Sequence, residues 1–164
     1  MIAENHRILR QSLKSFLEAK GLEVVCQASN AKEALSLAAK IRPQIIFLDI
    51  EMPGGGGIAS IRKIARLSPS SQILMLSAHD DEQYVRDALI NAGAIGYLVK
   101  RDLVQDVDRA VRAAVIGKRY VSSSVACITH GSLKVACELH GIEVITGKTP
   151  NAATNRSRSN YRRD

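Results

Sequence analysis

Apolar and polar positions alternate between two rhythms over the first 120 residues. Leu9, Leu13, Phe16 and Leu17 recur at helical spacing within residues 7–20, and Gly21 stands where a helix commonly stops. Residues 22–26, Leu-Glu-Val-Val-Cys, read as a strand. Asn30 suits an N-cap for a helix through Ala31, Ala34, Leu35, Ala38 and Ile41, which ends before Pro43. Residues 45–49 form an apolar run closed by a carboxylate, and the four glycines 54–57 make a mobile loop. A helix carrying Ile58, Ile61, Ile64 and Ala65 follows, then a strand over 73–77. Asp80 or Asp81 starts a helix over Val85, Ala88, Leu89 and Ala92 that stops at Gly93; a strand at 95–99 comes next. Asp102 caps a last helix over Leu103, Val107, Ala110, Val111 and Ala114, ending at Gly117. With residues 1–3 as the end of a first strand, this alternation predicts five parallel strands and five helices joined by right-handed crossovers.

Polar residues fall at the ends of these strands. Glu4 and Asn5 follow the first stub, Asp49 ends the run Ile45-Ile46-Phe47-Leu48, Ser77 and Ala78 close 73–76, and Lys100 follows Val99. A strand that is apolar throughout is buried on both faces, and its carboxyl edge is where open α/β sheets hold ligands and chemistry. Each also has a plainer reading: Asp49 as a helix cap, Lys100 as a solvated lysine, Ser77 as a turn residue and Tyr97 as a core aromatic. Their convergence on one sheet edge makes them a candidate site. An in-line carboxylate, an acidic pair able to hold a divalent ion and a fixed cation are what phosphoryl transfer requires. Asp49, the Glu4/Asn5 pair and Lys100 supply those types, and the Ser77 hydroxyl adds a donor.

Composition narrows the setting. An apolar content of 46% with 24% charged residues is that of a globular chain, and the first 120 residues can bury one core. No apolar run approaches the ~18 residues of a membrane span, and no leader pattern opens the chain. Three cysteines, Cys26, Cys127 and Cys137, argue against a disulfide framework and fit a reducing cytoplasm. The net charge of +7 is uneven: residues 1–120 carry +4, and the twenty residues 145–164 carry another +4. The expected division is a body at 1–120, a partly helical linker at 121–146, and a basic, disordered tail at 147–164.

Asp49-Ile50-Glu51-Met52-Pro53-Gly54 with Gly57, Ser77-Ala78, Tyr97 and Lys100 resembles the receiver domain of bacterial two-component response regulators. Residues 2–7 and 93–119 are most similar to the NarL/FixJ-like branch of nitrate- and quorum-type transcriptional regulators. The resemblance implies a flavodoxin-like, doubly wound sheet in the order 2-1-3-4-5. It also implies that Asp49 accepts a phosphoryl group from a sensor histidine kinase, as a signalling domain rather than an enzyme. Mg²⁺ would be held by Glu4, Asn5, Asp49 and the Glu51 main-chain carbonyl. Ser77 and Ala78 would contact the phosphoryl group, Lys100 would neutralise it, and Tyr97 would turn inward on activation. Homodimerisation on phosphorylation and control of transcription by the full-length protein complete the expectation.

Several positions depart from that pattern. Asn5 replaces a second acid, which weakens a site for a hard cation. Only Met1, Ile2 and Ala3 precede Glu4, where a strand of about five residues is expected, so the first strand reads as truncated. Beyond residue 120 no helix-turn-helix pattern is readable, only one imperfect helix within 121–139 and an irregular end. No sequence-specific DNA binding is therefore expected from this chain; the tail arginines 156, 158, 162 and 163 could meet phosphates alone. Cys127/His130 and Cys137/His140 have a spacing that could bind zinc, although such pairs also arise by chance in an irregular tail. Two other functions stay open: a receiver-like interaction module that no longer takes phosphate, and an aspartate-based phosphatase. The phosphatases carry a second Asp two residues after the first, where this chain has Glu51.

Overall fold

The computed structural model describes residues 1–55, 57–128 and 144–146. Among the described residues seven strands form one sheet: β1 Ile2–Ala3, β2 Gln27–Ala28, β3 Ile45–Asp49, β4 Gln72–Ser77, β5 Gly96–Val99, β6 Arg119–Val121 and β7 Val144–Thr146. All are parallel, in the order β2-β1-β3-β4-β5-β6-β7. The expected order 2-1-3-4-5 is present within it, and the arrangement is flavodoxin-like. The count of five is corrected to seven, because Tyr120 and Val121 pair with Gly96 and Tyr97 and then carry β7 on their far side. No period-2 pattern marks 119–121 in the sequence; burial of Tyr120 beneath β5 makes it a strand.

β1 has two residues, in register with both neighbours: Ile2 pairs with Gln27 and with Phe47. The strand expected over 22–26 is found later, at Gln27–Ala28, which pair with Ile2 and Ala3; of the expected run, Cys26 joins the ladder by accepting from Ile2 N–H at 3.1 Å. The Met1 amino group continues the ladder by donating to the Ile45 carbonyl at 2.8 Å.

The helices are α1 Arg7–Ala19, α2 Ala31–Ile41, α3 Ile58–Leu67, α4 Glu82–Arg86, α5 Leu103–Val115 and α6 Ser123–Ile128; α4 runs on into a π-type turn at Asp87–Asn91. α2 starts as its sequence predicts. Asn30 Oδ1 accepts from Glu33 N–H at 2.9 Å, which satisfies a donor the helix would leave open, while Glu33 Oε2 accepts from Ser29 N–H at 2.7 Å and fixes the residue before the cap. Asp102 immediately precedes α5, but its carboxylate is used elsewhere, accepting from Ser124 Oγ at 2.5 Å. It ties α5 to α6.

Helices cover both faces. Leu13 and Leu17 of α1 and Val107, Ala110 and Val111 of α5 pack with Ile2, Phe47, Leu74 and Leu98. On the other face Ala34, Ala38, Ile61, Ile64, Val85 and Leu89 pack with Ala3, Ile46, Leu48, Met75 and Tyr97. Strands β3 and β4 are therefore buried on both sides, as their unbroken apolar runs require. Buried Asp106 on α5 is satisfied: its Oδ1 accepts from Tyr120 O–H at 2.9 Å and its Oδ2 from Ser123 N–H at 3.3 Å. Among the described residues no helix is long and apolar enough to cross a membrane.

Candidate functional site

Parallel strands carry their carboxyl ends to one edge, and three short connections meet there. Glu4 follows β1, Asp49 ends β3 and Lys100 follows β5. Glu4 and Asp49 are fully buried, and Lys100 reaches in between them with its side chain 15% exposed. Lys100 Nζ stands 3.0 Å from Asp49 Oδ1 and 3.0 Å from Glu4 Oε2. Burial alone would lower the Lys100 pKa, but hydrogen bonds to Asp49 and Glu4 outweigh it and hold the ammonium above its ordinary value. Two buried carboxylates thus share one ammonium.

The remaining valences are specific. Asp49 Oδ1 also accepts from Glu51 N–H at 3.0 Å, whereas Asp49 Oδ2 is buried with no hydrogen-bond partner. Glu4 Oε1 accepts from His6 N–H at 3.0 Å and lies 3.1 Å from His6 Nδ1. Asn5 Oδ1 is also buried and unpartnered. The Arg10 guanidinium, one turn into α1, donates to the Glu4 carbonyl at 2.5 Å and so anchors the turn that bears Glu4 and Asn5. Unpartnered buried oxygens beside two carboxylates form a donor set that fits a divalent cation.

The other expected residues line the same edge with different environments. Ser77 is fully buried and its Oγ accepts from His79 N–H at 3.0 Å, while Ala78 is exposed. Tyr97 is fully buried and donates its hydroxyl to the His79 carbonyl at 2.9 Å; burial pushes its pKa up to about 12. Glu51 is exposed: its N–H serves Asp49, and its Oε1 lies 3.0 Å from His79 Nε2. The glycine loop after Pro53 adopts conformations that L side chains rarely reach, with φ of 86° at Gly54 and 102° at Gly55. Asp80 and Arg101 pair at 2.5 Å, joining the loop after β4 to the loop after β5 and holding the Asp80 carboxyl below its ordinary value.

Two histidines went unread in the sequence. His6 touches Glu4, and His79 gathers Glu51, Tyr97, Ser77 and a stacked Tyr84 ring 5.6 Å away. Their position directly after Asn5 and Ala78 was the only available signal. The Cys127/His130/Cys137/His140 set falls mainly outside the described residues, as do the tail arginines and residues 147–164.

Comparison with known proteins places the chain in a family and a fold. Residues 1–112 match the family described as response regulator receiver domain. The response regulator GacA of Pseudomonas aeruginosa is 29% identical over 127 residues, which are 77% of this chain and 59% of GacA. UvrY of Escherichia coli K12 is 34% identical over 127 residues, 77% of this chain and 58% of UvrY. The chain thus spans rather less than two thirds of the length of these relatives. Among solved structures, a LuxR-family two-component response regulator from Aurantimonas superposes with a TM-score of 0.72 at 29% identity, covering 85% of this chain and 96% of that one. The isolated receiver domain of RcsB from Salmonella enterica serovar Typhimurium, solved with the phosphomimetic BeF3⁻, gives 0.69 at 26% identity, covering 76% and 93%.

Proposed function

Because this chain belongs to the response regulator receiver family, we propose that it accepts a phosphoryl group on Asp49 from a sensor histidine kinase and passes the change on as a movement of its sheet edge. The observation that carries this reading is Lys100 Nζ at 3.0 Å from Asp49 Oδ1, at the carboxyl end of a buried strand. Asp49 attacks the phosphorus of a phosphohistidine. The P–N bond breaks, its electron pair returns to the imidazole nitrogen, and an acyl phosphate forms on the carboxylate. Receiver domains bind Mg²⁺ at an acidic pocket, where it offsets charge on the phosphoryl oxygens. In this chain Glu4, Asn5 and Asp49, with the Glu51 carbonyl, would hold it. Lys100 neutralises a further phosphoryl oxygen, and the Ser77 hydroxyl and Ala78 N–H follow the group.

Asp49 is fully buried, so a donor reaches it only when a neighbouring loop gives way. The glycine loop after Pro53 has the conformational freedom to do so. Tyr97, already inward and bonded to the His79 carbonyl, links that edge to the β4–α4 connection. In the full-length protein the output of this movement is control of transcription, as a homodimer formed on phosphorylation.

Incubation with acetyl phosphate and Mg²⁺ should add one base-labile phosphoryl group, and Asp49→Asn should abolish it. Equal modification of the Asp49→Asn variant would reject the assignment. Neutral Asn5 and complete burial of Asp49 favour a second reading, an interaction module that no longer takes phosphate. A folded wild-type chain that stays unmodified by both acetyl phosphate and a kinase would select it.

A further inference from the structure

We propose that His6 donates a ring nitrogen to the cation in this pocket, replacing the charge missing at Asn5, and that the pocket selects a first-row divalent transition ion over Mg²⁺. The inference rests on the reading of the pocket as a cation site given above. One ring nitrogen of His6 and one carboxylate oxygen from each of Glu4 and Asp49 lie within 4.8 Å of one another. An ion with ligand bonds of about 2.0–2.2 Å spans at most roughly 4.4 Å between opposite ligands. Neighbouring ligands on such an ion lie roughly 3 Å apart, so the three donors meet one ion after a side-chain adjustment that the exposed His6 ring can supply.

The local chain holds His6 for this task. His6 is the N-cap of α1, with extended backbone at φ −73° and ψ 108°. Its N–H and its Nδ1 both face Glu4 Oε1, at 3.0 and 3.1 Å. The ring is two-thirds exposed, so it can exchange that contact for a metal bond without unpacking the core. Independently of the histidine, Asp49 Oδ2 and Asn5 Oδ1 are buried with no partner and can serve as further ligands.

Charge decides the preference. Glu4 and Asp49 contribute two negative charges, Asn5 adds none, and two cations stand close: Lys100 between the carboxylates and the Arg10 guanidinium on the main chain of the Glu4/Asn5 turn. Mg²⁺ depends on hard, charged oxygens and gives up its waters reluctantly. An imidazole adds little for Mg²⁺ but adds substantially for the later, softer ions of the first row. Exchanging one carboxylate for an amide and recruiting a nitrogen therefore moves selectivity in one direction.

The test uses the full chain with Co²⁺ as probe. Bound Co²⁺ is read by its d–d absorption, a nitrogen ligand by the paramagnetically shifted, solvent-exchangeable ring N–H proton resonance, and Mg²⁺ by competition. We expect Co²⁺ to bind at least about tenfold more tightly than Mg²⁺, with one shifted ring N–H signal. His6→Ala should remove that signal and weaken Co²⁺ about tenfold. Asn5→Asp should tighten Mg²⁺ and narrow the ratio. A shifted ring N–H signal and Co²⁺ affinity unchanged in His6→Ala would overturn the nitrogen ligand and leave an oxygen-only cation site standing. Failure of both ions to bind the wild-type chain would overturn the cation site itself.

Discussion

At the carboxyl ends of β1, β3 and β5, Glu4, Asp49 and Lys100 are packed together with buried oxygens left unpartnered. At the amino ends of β1 and β3, Met1, Leu17, Val24, Ile45, Phe47 and Val111 instead line an apolar cavity of about 240 Å³. The same strands therefore terminate in concentrated charge at one edge and in incomplete apolar filling at the other. A third region shows the opposite of looseness. A methyl placed on Gly96 of β5 would stand 2.6 Å from Leu74 Cδ2 and 3.2 Å from the Tyr120 carbonyl. One sheet thus combines a tightly packed centre with a charged carboxyl edge and a loosely filled amino edge.

Lys100→Met gives the largest change we expect. It strands two buried carboxylates without their shared cation and should destabilise the chain by about 3–5 kcal/mol, read from denaturant unfolding. Asp49→Asn, which removes one of those charges, should leave stability equal or higher. If the lysine variant is as stable as wild type, the charged edge is not the closed cluster described here.

Gly96→Ala tests the tight side. Overpacking against Leu74 and the Tyr120 carbonyl should cost roughly 1–3 kcal/mol in the same unfolding measurement. Phosphorylation by acetyl phosphate should be unchanged once the variant is folded.

Alkaline titration gives a smaller effect. The Tyr97 pKa is raised from 10 to about 12, so the folded state keeps its phenol proton where the unfolded chain loses it. That contribution is complete below pH 10 and is lost as pH rises through about 12. The raised Lys100 pKa acts with the same sign, its contribution fading above the ordinary lysine value of 10.5. At pH 11 the loss from Tyr97 is on the order of 1 kcal/mol. Tyr97→Phe should flatten the decline in unfolding midpoint between pH 10 and 12, and an unaltered slope would mean that another group governs it.

The loose edge gives the smallest change, and one of opposite sign. Val24 is half-buried at the cavity wall, and Val24→Leu should stabilise by about 0.5–1 kcal/mol in thermal or denaturant unfolding. A loss comparable to that of Gly96→Ala would show that the amino edge is already filled, and the comparison would collapse.

Some of this molecule was legible along the chain, and the reasons are local. The runs 45–48 and 73–76 are apolar without interruption and short, a pattern that fits a strand covered on both faces, so the buried centre of the sheet could be read directly. Asn30 with Glu33 announces the start of α2, because the capping bonds involve only residues within a turn of each other. Asp49, Glu4, Ser77 and Lys100 could be gathered because parallel topology sends every strand end to one edge.

Tertiary structure decided the rest. Whether 22–26 or 27–28 became β2 depended on where Ile2 stood, and β6 became a strand because β5 offered Gly96 and Tyr97 as partners. Asp102 was expected to bond its own helix and bonds Ser124 instead, since α6 brings a hydroxyl to 2.5 Å. The same holds for His6 and His79: imidazoles carry no pattern of their own, and their meaning comes from Glu4, Glu51 and Tyr97 meeting them across the fold. Periodicity is a property of neighbours in sequence and determines the elements. Register, charge sharing and ligand sets are properties of neighbours in space, and folding alone brings those together.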